Sequence, residues 1–214
     1  MFYSSVYANH GPSESQWYHF PVKRAGYVLT GGRSSRMGRD KALLPFGNGT
    51  MAAAVAAKVE RAAGSATLVG SDPAHARLGY GFLPDVWPGQ GPLGAVLSVL
   101  GQTGAESNLI VACDMPRLTT AFLERLMDAM EATDAAVTRP DVIAAAGPAV
   151  RIQPLCAVWR QRAHTRVERA FAAGERSVMA LLTGKSLRVE LLETSEAVCF
   201  QNVNTPEDWA AYDC

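Results

Sequence analysis

Cysteine is scarce in this chain. Cys113, Cys156, Cys199 and Cys214 are four among 214 residues, and no two form a C-x-x-C pair. A disulfide framework and a structural zinc site are therefore not expected, and a reducing, cytoplasmic compartment fits. An excess of one charge is also lacking, because 20 basic and 20 acidic residues cancel to a formal net charge of zero. With no polybasic run and no acidic tail, nothing points to nucleic acid as a partner. No apolar stretch reaches the roughly 18 residues that a membrane-spanning helix needs. The first 24 residues lack a charged start followed by an apolar run, so they do not read as a secretory signal. The four histidines (His10, His19, His75 and His164) form no cluster with a serine or cysteine, which argues against a nucleophilic triad.

What is present is a globular composition, 48% hydrophobic and 19% charged, in a length suited to one domain. Residues 1–24 are aromatic and polar without periodicity and read as a loosely held arm. Residues 25–214 read as the domain. Within it, apolar runs of strand length recur at Gly26–Leu29, Ala66–Gly70, Asn108–Cys113, Ala135–Thr138, Pro154–Trp159 and Leu187–Leu191. Segments of helical length lie between several of them: 50–63, Phe122–Glu131 with Thr119 or Thr120 as N-cap, Ala163–Ala173, and Ser177–Leu182. Strands alternating with helices imply an α/β domain. Its central sheet should be mostly parallel, with helices on both faces.

In such sheets ligands bind where strands end and helices begin. Three segments carry chemistry there. The first is Gly31–Lys41, GGRSSRMGRDK, after the run Ala25-Gly26-Tyr27-Val28-Leu29. A glycine-rich turn lets backbone N–H groups approach an anion, and Arg36 and Lys41 add two full positive charges. A triphosphate fits that combination better than a bare exposed turn would. The stretch is neither a Walker loop, since Arg39 follows Gly38, nor G-x-G-x-x-G. Gly184-Lys185-Ser186 is no Walker loop either, because Met179 stands where its first glycine belongs.

The second segment is Asn108–Leu118, NLIVACDMPRL. Asp114 stands at the end of an apolar strand and Pro116 breaks it. A carboxylate there is a natural magnesium ligand beside substrate phosphates. It could equally cap the following turn, and the neighbouring phosphate loop favours magnesium. The third is Tyr80–Gly94, YGFLPDVWPGQGPLG, with Asp85 after a short apolar run and a helix expected from about Pro92 to Leu100. Asp85 could reach a nucleotide hydroxyl or the metal. The segment by itself is also an ordinary Pro/Gly loop.

Taken together these segments resemble the molybdenum cofactor guanylyltransferases. Leu29, Gly31, Gly32, Ser34, Arg36, Met37, Gly38, Asp40 and Lys41 match that family's nucleotide signature, while Thr30 stands where alanine is common. The resemblance continues through G-P-L-G at 91–94, C-D-M-P at 113–116, P-L-C-A-V at 154–158 and F-Q-N-V-N-T-P-E-D at 200–208. It covers residues 25–212 in order and leaves out the arm. It implies a single-domain, Rossmann-like nucleotidyltransferase fold that transfers GMP from GTP to the phosphate of molybdopterin and releases pyrophosphate. It also implies roles. Leu29, Thr30, Gly31 and Gly32 would lie along the nucleotide, with Lys41 on phosphate. Asp85 would contact the nucleotide, and Asp114 would hold Mg2+. Asn202 and Asn204 would face the acceptor. Catalysis would rest on Arg36, Lys41 and Asp114. The product would reach molybdoenzymes or cofactor-delivery proteins by transient contact.

The chemistry agrees with the residues. A phosphate monoester is already largely dianionic near pH 7, so it needs no general base. Catalysis then depends on positioning and on charge neutralisation. Related cytidylyltransferases tend to carry L-A-A-G at the start, so Gly31 leans toward guanine. Three other readings stay open: the cytidine version, transfer to a sugar or alditol phosphate, and a non-catalytic GTP-binding regulatory module. Thr205-Pro206-Glu207-Asp208 reads as the start of a last helix to about Tyr212, with Trp209 and Tyr212 placed for packing.

Overall fold

A computed structural model describes residues 22–31, 40–135, 139–195 and 197–210. One seven-stranded sheet organises them, in the order β5-β4-β1-β6-β8-β7-β9. Its strands are β1 (Val22–Leu29), β4 (Thr67–Gly70), β5 (Gly81–Pro84), β6 (Ala105–Ala112), β7 (Val142–Gly147), β8 (Arg151–Arg160) and β9 (Val189–Glu193). A small hairpin of β2 (Pro45–Phe46) and β3 (Gly49–Thr50) stands apart. Neighbouring strands are parallel except at β8, which runs antiparallel to both β6 and β7.

The expected mostly parallel sheet with helices on both faces is found. Alternation along each strand sorts the side chains. Val28, Leu109, Val111, Cys156 and Val158 go to one face, under α1 (Met51–Ala63) and α3 (Thr120–Ala132). Tyr27, Leu29, Ile110, Ala157 and Trp159 go to the other, under α2 (Pro92–Gln102), α4 (His164–Ala172) and α5 (Val178–Thr183). Both faces are covered, so the central strands are nearly all apolar. Each fully buried leucine or methionine of α3 (Leu123, Leu126, Met127, Met130) contributes about 1.5–3 kcal/mol.

Helix ends follow their sequence signals. Thr50 caps α1 by accepting from the Ala53 N–H, and Gly64 closes it at φ 80°. Thr119 caps α3 in the same way. Gly26 sets how closely α1 approaches β1, because a Cβ there would lie 2.3 Å from Val59 Cγ1 and 2.4 Å from the Ser65 carbonyl.

Some expected boundaries shift, and others fall on residues outside the description. The strand β1 begins at Val22, inside the expected arm: Val22 and Arg24 pair with Ala105 and Ser107. Arg24 also bonds Glu131 and Asp128 on α3. The strand expected at Ala135–Thr138 falls largely on residues outside the description. Residues 133–135 form a 3-10 turn, and the next strand is β7, which was not expected. The short apolar run before Asp85 is an edge strand, β5. The last helix, α6 (Pro206–Ala210), is described only to residue 210, so Tyr212 lies outside. Thr205 does cap it, and Asp208 reaches back to the N–H groups of Asn204 and Thr205. Trp209 packs with Phe46 of the hairpin, ring centroids 6.4 Å apart. Among the described residues no helix is long and apolar enough to cross a membrane.

Candidate active site

The carboxyl ends of β1, β4, β5 and β6 meet at one edge of the sheet and are laced together by backbone hydrogen bonds. Thr30 N–H donates to Val69 O at 2.8 Å, Cys113 N–H to Leu29 O at 3.1 Å, and Asp85 N–H to Gly70 O at 2.9 Å. These bonds continue the ladders by one residue and hold Thr30, Asp85 and Asp114 around a cleft of about 520 Å³. Leu29, Thr30, Gly31, Lys41, Asp85 and Asp114 all line it. Gly32 and Arg36 lie outside the described residues.

Lys41 opens a short 3-10 helix, Lys41–Leu43, which Asp40 caps by accepting from Ala42 N–H. The Lys41 Nζ donates to Asn204 Oδ1 at 2.7 Å, and Val203 N–H donates to the Asp114 carbonyl at 2.9 Å. The C-terminal segment thereby joins the site to Lys41 and Asp114 at once. Val203, Leu44 and Met51 form a small apolar cluster under it. Asn202 is exposed and does not line the cleft.

Burial pushes the Asp114 carboxyl above the usual carboxylate range, and the Lys41 ammonium pulls it back only in part. A half-buried carboxylate short of positive charge is what a divalent cation would neutralise, so the residue fits a metal ligand. Its neighbour Cys113 is fully buried, and that burial, aided by Asp114, pushes its thiol up to about 12. Cys113 is therefore a neutral packing residue at pH 7, not a nucleophile. Asp85 gives Oδ1 to the Trp87 N–H and to the Ser98 hydroxyl, both at 2.9 Å. That shapes the loop at the start of α2. In this loop Gly89 and Gly91 take φ 75° and 82°, and a Cβ at Gly91 would meet the Arg176 carbonyl at 3.0 Å. A second group of metal-ligating type, Asp40, Asp72 and His75, has ligand atoms within 4.8 Å of one another. Asp40 already gives one oxygen to Ala42 N–H and the other to His75 Nε2, and Asp72 caps Ala74 N–H.

The structure also brings in residues that the sequence did not single out. Val69 and Ser71 end β4, Ala95 comes from the first turns of α2, and Leu155 comes from β8. The strand-end rule could have found Ser71. Nothing local marks Leu155, which enters from a strand running the opposite way.

A cleft at the carboxyl ends of parallel strands is where open α/β sheets bind their ligands, and the family comparison gives the class as an NTP transferase. Residues 26–191 match the model of the MobA-like NTP transferase domain. A molybdenum cofactor guanylyltransferase from Rhodobacter capsulatus is 33% identical over 88% of this chain and 94% of its own length. One from Xanthomonas euvesicatoria is 34% identical over 86% of this chain and 92% of its own. Molybdopterin-guanine dinucleotide biosynthesis protein A from Archaeoglobus fulgidus superposes with a TM-score of 0.71 at 24% identity, covering 87% of this chain and 95% of that one. At that identity the likeness is one of fold. The chain belongs to the MobA-like NTP transferase family, among the molybdenum cofactor guanylyltransferases.

Proposed function

We propose that this protein transfers GMP from GTP to the phosphate of molybdopterin, releasing pyrophosphate, and that the cleft at Thr30, Lys41, Asp85 and Asp114 is where it does so. Family membership supports the reaction. The observation that carries the site is that Lys41 and the half-buried Asp114 line the same cleft, with the Lys41 charge acting on the Asp114 carboxyl, beside the glycine that follows β1.

The reaction needs two anions brought together. An acceptor phosphate oxygen attacks the α-phosphorus of GTP, the bond from that phosphorus to the bridging oxygen breaks, and the electron pair leaves with pyrophosphate. Nothing has to remove a proton from a dianionic acceptor. Leu29, Thr30 and Gly31 provide a floor for the nucleotide, and Gly32, outside the described residues, is assigned to it by the family's motif. Lys41 neutralises phosphate charge, held at its angle by Asn204. Asp85 contacts the nucleotide from the far side. Asp114 would hold Mg2+, which when bound would neutralise phosphate charge and stabilise the departing pyrophosphate. Arg36 adds a second cation to the phosphates. Asn202 and Asn204 serve the acceptor side, in the case of Asn204 through the same amide that orients Lys41. A cytoplasmic location suits the buried thiols at Cys113, Cys156 and Cys199, none of them in a disulfide. Delivery of the product to molybdoenzymes would follow by transient contact.

The test is a thermal shift with GTP, CTP, ATP and UTP, each with and without Mg2+, followed by pyrophosphate release with molybdopterin. A nucleotide at about 100 times its dissociation constant adds about 2.7 kcal/mol. Mg-GTP is expected to give the largest shift, and pyrophosphate is expected only when molybdopterin is present. A larger shift with CTP moves the protein to cytidylyl transfer. No pyrophosphate with any acceptor makes it a binding module.

A further inference from the structure

His75 is a buried imidazole, 2% exposed, to which nucleotide transfer as described gives no task. It sits on the 3-10 helix Pro73–Leu78 that follows β4. Its Nδ1 lies 2.8 Å from Thr30 Oγ1 and its Nε2 lies 2.7 Å from Asp40 Oδ2. Thr30 and Asp40 are the residues that bracket 31–39, the glycine-rich stretch assigned to phosphate. One side chain therefore ties the two ends of that stretch together.

Hydrogen-bond accounting shows that this tie is specific. The Thr30 hydroxyl has one proton and two neighbours, His75 Nδ1 and the Val69 carbonyl at 3.0 Å. If it donates to Nδ1, the remaining ring proton is on Nε2 and points at Asp40. If it donated to Val69, Nδ1–H would face the hydroxyl and a neutral ring would turn a bare Nε2 toward the Asp40 carboxylate, lone pair against lone pair, so a neutral ring satisfies the first arrangement. There Nε2–H donates to Asp40, and Val69 O keeps the Thr30 backbone N–H in any case. The surroundings leave room for this contact. A Cβ on Gly70 would lie 2.5 Å from Thr30 Oγ1 and 3.3 Å from His75 Nδ1, so the strand end is a glycine where these side chains meet. Beyond His75, the other oxygen of Asp40 caps the short helix that begins with Lys41.

We propose that His75 is a positioning residue for nucleotide transfer: a clamp that fixes both ends of the phosphate-binding stretch and, through Asp40, sets Lys41 against the triphosphate. The clamp rests on the reading of the cleft as a GTP site. Holding Asp40, and with it the helix that begins at Lys41, in place removes part of the ordering that a bound triphosphate would otherwise have to impose on that lysine.

The experiment measures affinity for Mg-GTP and for GMP, KM and kcat for transfer, and melting temperature. The proteins are the wild type, His75→Ala, His75→Gln and Thr30→Val. His75→Ala is expected to weaken Mg-GTP at least tenfold while GMP, which lacks the outer phosphates, changes less than threefold. The change should fall on KM for GTP more than on kcat. His75→Gln, whose amide offers one donor and one acceptor, should recover most of the loss. Thr30→Val keeps the volume, breaks one arm of the clamp and should weaken Mg-GTP several-fold. If His75→Ala does not fold, the other two variants decide. Wild-type Mg-GTP affinity in a folded His75→Ala, or in Thr30→Val where His75→Ala does not fold, overturns the clamp alone. Equal losses for GTP and GMP, without recovery in His75→Gln, also overturn it and leave His75 a packing residue. A wild type that does not bind Mg-GTP overturns the nucleotide reading itself, and the clamp with it.

Discussion

Asp114→Asn should have two effects of opposite sign. The substitution keeps the shape of the side chain, and the bond from Val203 N–H is to the backbone carbonyl, so the turn survives. What it removes is one half-buried negative charge. Among the described residues that line the cleft, Asp85 and Asp114 are the carboxylates, and Asp85 Oδ1 is already committed to Trp87 and Ser98. Magnesium is held by one or two carboxylates plus phosphates, so on the proposed reading Asp114 would be its main protein ligand. Losing it should raise the barrier by about 4 kcal/mol, a thousandfold in GMP transfer at about 1.4 kcal/mol per factor of ten.

Stability should move the other way. Burial holds the folded pKa of Asp114 above its unfolded value, so the unfolded chain gives up this proton first. The penalty on folding is absent below the unfolded pKa of about 3.9, grows as pH rises through the folded value, and stays constant at neutrality. Without metal, Asp114→Asn should therefore melt higher than wild type at pH 7, and the gap should close as pH falls toward about 4. Magnesium with GTP should stabilise the wild type more than the variant. Melting curves from pH 4 to 8 and a pyrophosphate assay check both effects. Near-normal transfer, or a variant that melts lower at pH 7 without metal, would refute the assignment of Asp114 as an ion-holding carboxylate.

Two further outcomes are expected. Lys41→Ala should weaken GTP by about 1.5–3 kcal/mol, the range for a charge-assisted hydrogen bond, and GMP much less. Calorimetry with both ligands checks it, and equal losses would put Lys41 on the α-phosphate or make it structural. Gly26→Ala should cost about 1–3 kcal/mol or more, because its Cβ would sit 2.3 Å from Val59 Cγ1 and 2.4 Å from a backbone oxygen. Urea unfolding measures that, and a change below 0.5 kcal/mol, on the order of an ordinary surface substitution, would show that α1 shifts freely on β1.

The sheet and its helices were legible where signals are local. Thr50, Thr119, Pro92 and Thr205 each start a helix as their side chains predict. The strand β7 was not legible. Val142–Gly147 holds three alanines, which have neither β-branched bulk nor a period, yet all six residues are buried because the sheet continues past them. The direction of β8 was hidden for another reason: an apolar run reads the same whichever way it lies in a sheet, and only its partners reverse it. At the site, Lys41, Asp85 and Asp114 stood out because charge at a strand end is costly without a use. His75 did not, since a lone histidine in sequence carries no sign of the Thr30 and Asp40 that fold onto it. The one hint was Thr30 itself, standing where alanine is common.

The bond from Lys41 to Asn204 joins residues 163 positions apart. A chain made from its N-terminus at about 5–20 residues per second reaches the second of them roughly 8–33 s after the first. Through that interval the phosphate stretch exists without the amide that aims its lysine, and Asp114 lacks the Val203 N–H behind it. A nascent chain can thus build the nucleotide half of the sheet before it can use it. Competence arrives late in synthesis, when the last turn before α6 closes over the finished domain.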